Sequence, residues 1–295
     1  MEPPFLSVLV VSYERETECW NAVRSALDEI PKVINFEIKI LDNGSSRPYS
    51  VPPDLRDHPT SIDLQRSDIN LGCPGGRNFL ALLSERPFGL FLDDDGIISS
   101  GDGVPQLLSF LKKNHNAAVI TGKIHRANGV QKRYERPWRF KRGQALAPEI
   151  FEVQSLLGGF LLVDLKKFNE LGGYRADSLY GYEEPEFSMR LATLGYRATY
   201  SSLISFEHRP SENGRQSKRE VILNRAFARV ELARGYLGFP FRYSHLTYTV
   251  ALLAANRFSF RKILKVVRHK GSNPRASITL SQVRQMSFMG TRLWF

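Results

Sequence analysis

The sequence predicts an α/β fold: a mostly parallel central sheet flanked by helices, followed by a helical C-terminal extension. Short apolar, β-branched runs recur through the first hundred residues, each bounded by turn residues, as buried parallel strands require. Helical stretches separate them, the pattern of helices covering both faces of such a sheet. From Arg219 onward the chain reads as helical and basic.

In chain order, Phe5 to Val11 reads as a first buried strand. Thr17 to Leu27 is a helix that packs through Trp20, Val23 and Leu27. Phe36 to Leu41 is a second strand, running into the turn Asp42-Asn43-Gly44-Ser45-Ser46, and Ser61 to Leu64 is a third. Asn70 to Asn78 forms a Gly-rich loop that enters a helix, with Arg77 at the helix start. Phe88 to Leu92 is the fourth strand and leads into Asp93-Asp94-Asp95-Gly96. Val104 to Lys113 is helical and Ala117 to Thr121 extended, whereas residues 124–147 are polar, basic and aromatic and take no assigned element. Then come a strand at Gly158–Val163, a short helix ending at Leu171, a helix over Glu183–Leu194, one or two strands over Arg197–Phe206, and a loop over His208–Gly214.

Bulk properties narrow the classes. The 295 residues are 42% hydrophobic and 24% charged, which suits a packed globular chain and not a disordered one. A net charge of +11 favours polyanionic partners: nucleic acid, anionic lipid or phosphorylated substrates. The last forty residues are rich in Arg and Lys and contain no Asp or Glu. Cys19 and Cys73 form no C-x-x-C pair, so neither zinc nor a disulfide framework is expected, and a reducing cytoplasm is the default. Met1-Glu2-Pro3-Pro4 is not a basic leader, and no apolar run approaches the ~18–20 residues of a spanning helix.

The acidic triplet is the most informative chemistry. Three adjacent carboxylates repel one another unless a cation sits among them, and oxygen-only ligands suit Mg²⁺ or Mn²⁺, which also bind substrate phosphates. Ser12-Tyr13-Glu14-Arg15 and Asp42 to Ser45 likewise follow strands, so all three segments should line one crevice at the sheet's carboxyl edge. The glycines of Asn70 to Asn78, with Arg77, suit a diphosphate held by backbone N–H groups and a cation. A second acidic cluster, Glu183-Glu184-Pro185-Glu186, opens a helix. With Pro185 at its first position Glu184 becomes the cap, and Phe187, Leu191 and Leu194 form a buried stripe. Capping alone explains one Glu there, but not three.

Together, Val11 to Arg15, Leu41 to Ser45, Asn70 to Asn78, Asp93-Asp94-Asp95, Gly158-Gly159-Phe160, Leu171 to Tyr174, Gly181 to Glu186 and Glu207 to Arg209 resemble the inverting family 2 glycosyltransferases, most closely bacterial rhamnosyl- or galactosyl-type enzymes. The resemblance implies a GT-A fold, Rossmann-like, with a catalytic domain over 1–215 and a basic helical extension over 216–295. The nucleotide-sugar half of that domain would be about 1–100 and the acceptor half about 101–215. It implies a nucleoside-diphosphate-sugar donor, a saccharide or lipid-linked saccharide acceptor, and a Mg or Mn cofactor. Asp95, Asp93 and His208 would serve the metal. Ser12, Tyr13, Glu14, Arg15, Asp42, Asn43, Asn70, Gly72, Gly76, Arg77, Asn78, Asp93, Asp94 and Arg215 would bind the donor, with Asp42 reading the nucleobase. Gly158, Gly159 and Phe160 would meet the acceptor.

Where the family usually places Glu-Asp, with Asp as base, this chain has Glu184, one methylene longer; Glu183 and Glu186 are its rivals. The basic stretch Phe239 to Lys270 suits either peripheral contact with an anionic membrane, at the inner face of the cell membrane, or packing on the catalytic domain. Two other classes compete. Arg133, Tyr134, Arg136, Trp138, Arg139 and Phe140 would suit single-stranded nucleic acid, but that reading leaves both acidic clusters unexplained. A sugar nucleotidyltransferase would carry a Gly-rich basic loop after the first strand, which Ser12 to Arg15 does not resemble.

Overall fold

The computed structural model describes residues 5–132, 135, 150–153, 156–175, 181, 183–211, 217–269, 278–279 and 281–283. Its first half alternates β1 (Leu6–Ser12), α1 (Glu16–Glu29), β2 (Phe36–Asp42), β3 (Ile62–Arg66), α2 (Gly72–Leu83) and β4 (Phe88–Asp93). Then follow β5 (Gly96–Ser100), α3 (Val104–Lys113), β6 (Ala117–His125), β7 (Ile150–Val153), β8 (Phe160–Asp164), α4 (Leu165–Glu170), α5 (Glu183–Thr193) and β9 (Arg197–His208). The chain continues into α6 (Lys218–Tyr236), α7 (Phe241–Ala255) and α8 (Phe260–Arg268).

One sheet runs β3-β2-β1-β4-β8-β6-β9-β5, with β7 paired to β9. β3, β2, β1 and β4 are parallel, and both faces are covered, so β1 reads as an almost unbroken apolar run. The remaining half is mixed, which corrects the expectation of a mostly parallel sheet. The chain turns at Gly158-Gly159, and β8 runs back along β4 antiparallel. Gly159 sits at φ +96°, a backbone state that a side chain would oppose.

Other boundaries differ instructively. α2 begins at Gly72, so Gly75 and Gly76 are helical and Arg77 lies in the second turn. Gly76 is there for packing: a Cβ would lie 2.6 Å from Val11 of β1. α5 starts at Glu183, which moves Pro185 to the third position, still among the N–H groups that lack helical partners. Phe187 and Leu191 are buried, but Leu194 lies beyond the helix and is 58% exposed. β9 is a single strand, and β6 runs on to His125 because it pairs along β9.

The C-terminal helices are tied down. Val230 and Ala226 of α6, Leu253 of α7, Phe258, and Val266 of α8 form one small core, with Ile263 against it. The apolar face of α8 is thus spent on α6 and α7, whereas Arg261, Lys262, Lys265 and Arg268 stay exposed. Tyr236 donates to Glu186 at 2.7 Å and Glu231 pairs with Arg175, which join α6 to the sheet-bearing part. No helix among the described residues is long and apolar enough to cross a membrane.

Candidate active site

Register places the site. Ser12 lies opposite Asp42 and Val11 opposite Asp93, so β1, β2 and β4 deliver the segments after them to one edge. β5 pairs antiparallel with β9, with Gly96 opposite His208, and this sets His208 beside Asp95. A Cβ on Gly96 would lie 2.5 Å from the Glu207 carbonyl, so that close pairing needs glycine.

The acidic triplet divides. Asp93 ends β4, and Asp94 and Asp95 form the turn into β5. Asp94 accepts from Ser12 Oγ at 2.7 Å and from Arg15 Nη1 at 2.8 Å, and Arg15 also reaches Asp95 at 3.6 Å. The turn thus swings Asp94 onto Arg15. Burial pushes its pKa up to about 7 despite the opposing pull of Arg15.

Asp93 points the other way, to Arg77. The Arg77 guanidinium meets Asp93 at 2.6 Å and Glu184 at 3.3 Å, and lies 5.8 and 5.6 Å from the ring centres of Phe91 and Tyr174. This one buried cation, 16 residues before Asp93 and 107 before Glu184, joins the two acidic clusters. Gly158 and Gly159 lie between them: a Cβ on Gly158 would strike Glu184 Oε1, and one on Gly159 would lie 3.0 Å from Asp93 Oδ2. Replacement of Arg77 by Met strands two carboxylates. We expect a loss of about 3–5 kcal/mol of stability, towards the lower figure because Asp93 stays 37% exposed, read from the urea midpoint.

Burial raises the pKa of Glu184, and Arg77 opposes that rise. Glu183 is raised to about 8 by burial and then by Glu184, and its Oε2 has no hydrogen-bond partner among the described residues. Glu186 faces away from the cleft, held by Tyr236 and, at 3.0 Å, by Arg190. It joins α5 to α6, which leaves Glu184 and Glu183 as the acids beside Asp93.

Several expected donor residues serve the loops themselves. Asp42 is 1% exposed; it accepts from Ser45 N at 3.0 Å and Tyr49 N at 3.3 Å and pairs with Arg66, so a nucleobase would have to displace Arg66. Asn43 bonds Leu71 N, Asn70 and the Gly72 carbonyl, which ties the β2 turn to the start of α2. Glu14, at φ +58°, takes Ser46 N–H at 2.7 Å, whereas Tyr13 is half-buried. Asn78 clamps the Tyr174 backbone, accepting its N–H and donating to its carbonyl. Phe160 is fully buried and stacked on Phe206, so only the backbone of Gly158-Gly159 can face an acceptor. Arg209 pairs with Glu207 at 2.7 Å. Arg215 lies outside the described residues, as do Arg133, Tyr134, Arg136, Trp138, Arg139 and Phe140.

Some organising residues gave no local signal. Tyr49 takes the Arg15 N–H at 2.7 Å and shares a hydrogen bond with Ser12 Oγ at 3.0 Å. Glu135 meets His208 Nδ1 at 3.5 Å. Both contacts span more than thirty residues of chain, beyond any motif.

His208 Nε2 is 3.5 Å from Asp95 Oδ1. Burial disfavours the imidazolium most, but the hydrogen bond with Asp95 and the charges of Asp95 and Asp93 together outweigh it and the pKa moves up. One carboxylate and one imidazole at this spacing fit a hexacoordinate Mn²⁺ or Mg²⁺ that keeps waters and takes phosphate oxygens. Among the described residues no three of His, Cys, Asp and Glu gather as a complete cage, so substrate would have to complete the sphere.

Residues 7–180 match the family model described as Glycosyl transferase family 2. No curated protein matches the chain significantly. Among solved structures the chain is similar to GalNAc-T7, solved with UDP, GalNAc and Mn²⁺ (TM-score 0.62, 14% identity, covering 90% of this chain and 56% of that one). It is also similar to a mannosyltransferase from Pyrobaculum calidifontis, solved with GDP-Man and Mn²⁺ (TM-score 0.58, 14% identity, 98% and 85% covered). A third is residues 1–349 of TarS from S. aureus (TM-score 0.55, 14% identity, 89% of each). The chain thus spans little more than half of the GalNAc-T7 chain, and likeness at this identity shows a shared fold.

Proposed function

The chain belongs to glycosyl transferase family 2, and from that premise we propose a cation-dependent inverting enzyme that moves a sugar from a UDP- or dTDP-linked donor to an acceptor hydroxyl. The acceptor is taken to be a saccharide or lipid-linked saccharide in cell-surface polysaccharide or glycolipid synthesis. The supporting observation is the single guanidinium of Arg77, which holds Asp93 and Glu184 together at the Gly158-Gly159 turn. On this reading the donor-side carboxylate and the candidate base face one site.

In this reading Glu184 takes the acceptor proton as the hydroxyl attacks the anomeric carbon in line. Base assistance of that kind is worth roughly 10²–10⁴-fold. Asp93, exposed on one side, is placed to accept from donor hydroxyls, and Arg15 holds Asp94 and Asp95 in position. Asp95 and His208 would hold Mn²⁺ or Mg²⁺, which supplies Lewis-acid stabilisation to the departing diphosphate. We assign catalysis to residues 1–215, with the donor half about 1–100 and the acceptor half about 101–215, and treat 216–295 as an extension.

The test is a donor screen: purified chain, Mn²⁺ or Mg²⁺, a panel of nucleoside-diphosphate sugars and detection of released nucleoside diphosphate. Acceptor-dependent release from one donor is expected. Pyrophosphate from a nucleoside triphosphate and a sugar phosphate would instead show nucleotidyl transfer.

Peripheral membrane contact at the inner face of the cell membrane is the second reading, and a specific surface favours it. Phe239 (83% exposed), Tyr243 (58%) and Phe260 (77%) remain uncovered by described residues, and Phe260 adjoins the exposed Arg261 and Lys262. Exposed aromatics beside cations suit an anionic lipid surface. We expect the protein to sediment with phosphatidylglycerol vesicles but not with phosphatidylcholine, and the triple Ser variant of these aromatics to lose at least tenfold in partitioning. Equal pelleting of both proteins would remove membrane contact from the proposal.

A further inference from the structure

Glu186 stands two residues after Glu184, so helical geometry points the two to nearly opposite sides of the first turn of α5. On one side Glu184 meets Arg77 at 3.3 Å. On the other, Glu186 is buried with both oxygens engaged: Oε1 accepts from the Tyr236 hydroxyl of α6 at 2.7 Å, and Oε2 meets Arg190 Nη2 at 3.0 Å. Burial and the Glu186 charge raise the Tyr236 pKa, so the hydroxyl remains a donor. Arg190 reaches further, with Nη2 donating to the Gly173 carbonyl at 2.5 Å and Nη1 to the Leu171 carbonyl. The next residue, Tyr174, is clamped by Asn78, which accepts its N–H at 2.7 Å and donates to its carbonyl at 2.6 Å. Asn78 directly follows Arg77 in α2. The contacts therefore close a ring: Glu184, Arg77, Asn78, the turn at 173–174, Arg190, Glu186, and back to the same turn of α5.

We propose that Tyr236 and Arg190 are positioning residues for Glu184: by holding Glu186 from behind, they fix the turn that carries Glu184 against Arg77. Tyr236 is then the point at which the C-terminal extension enters the active-site architecture. The seam is wider than one hydroxyl, since Met189 of α5 shares a small core with Leu232 and Ala233 of α6. The inference rests on the reading of Glu184 as the base.

The test is the pH–rate profile of full-length Tyr236→Phe, normalised to folded protein and run beside Glu184→Gln. Phe keeps the ring and removes only the hydroxyl. The groups about Glu184 are Arg77 and Cys73 of α2, Asp93 of β4, Tyr174 and Glu183, and Arg77 is the cation among them. A slackened turn weakens the contact of Glu184 with Arg77, so the Glu184 pKa rises. The expected result is an acid limb moved to higher pH and kcat lowered about tenfold with donor KM unchanged, since a misplacement of about 1 Å can cost as much as about 10²-fold. Arg190→Lys, which keeps the charge but cannot span Glu186 and two carbonyls, should move the limb the same way and serves if Tyr236→Phe does not fold. An acid limb that stays or moves down in either folded variant, whatever its thermal midpoint, would overturn the positioning role alone while Glu184→Gln is inactive. Full turnover in Glu184→Gln would overturn the base reading and the role with it.

Discussion

Glu184→Gln is expected to lower acceptor-dependent transfer by about 10²–10⁴-fold with little change in donor KM. The substitution keeps shape and removes only the ability to take a proton. The acid limb of the pH profile gives a second, sharper readout. Burial raises the Glu184 pKa, so the free base declines, and with it the rate, as pH falls through that raised value. Above it, the rate levels off. Arg77 lowers the pKa, hence Arg77→Met should move the acid limb to higher pH in whatever fraction stays folded. Glu183→Gln separates the neighbours: it removes a repelling acid, so the limb should move to lower pH and turnover should survive. Full activity in Glu184→Gln, with loss in Glu183→Gln, would hand the role of base to Glu183.

The elements that position this chemistry were legible where local pattern and tertiary demand agree. β1 and β4 announce themselves because strands buried on both faces are nearly all apolar, and β2 does so through Phe36, Ile38, Ile40 and Leu41 in spite of Glu37 and Lys39. α3 was readable to the residue, since Val104, Leu107, Leu108 and Leu111 form a helical stripe and Asn114 ends it. The start of α2 was not, because Gly72, Gly75 and Gly76 look like a loop in composition; Gly76 is kept small by Val11, which no local pattern encodes, and Gly72 sits at φ +70°. The direction of β8 was hidden for a like reason: an apolar run of five residues fits a parallel or an antiparallel neighbour equally well.

Site residues divide along the same line. Sequence position identified which carboxylates matter, but not what each faces. Asp93, Asp94 and Asp95 are adjacent in the chain, yet the turn sends Asp93 to Arg77 and its neighbours to Arg15. Arg77 looked like a diphosphate ligand; burial and two carboxylates make it the tie between donor and base sides. Asp42 looked like a nucleobase reader, whereas its oxygens already organise the 43–49 turn. Arg77 lies 16 residues from Asp93 and 107 from Glu184, and Arg66 lies 24 from Asp42; pairing between residues so far apart is what a single sequence does not display.

Asp95→Asn is the second large effect expected, and its contrast with Asp94→Asn tests the division of labour within the triplet. Asp95 is the carboxylate that His208 faces, so removal of its charge should weaken Mn²⁺ binding and cut kcat/KM by about 10²–10³-fold, each tenfold being 1.36 kcal/mol of lost charge stabilisation. Asp94 is enclosed by Ser12 and Arg15, whereas among the described residues His208 faces Asp95. Its neutral isostere keeps the shape and part of the hydrogen bonding, so the Mn²⁺ affinity of Asp94→Asn should stay within a few-fold of wild type. Activity would fall only as far as Arg15, freed from one partner, lets the turn move. Calorimetric Mn²⁺ titration of both variants in the presence of nucleoside diphosphate separates the outcomes. Equal weakening in the two would mean that the pair, not Asp95, holds the cation. Unchanged affinity in Asp95→Asn would place the cation elsewhere and leave the Asp95–His208 contact as packing between β5 and β9.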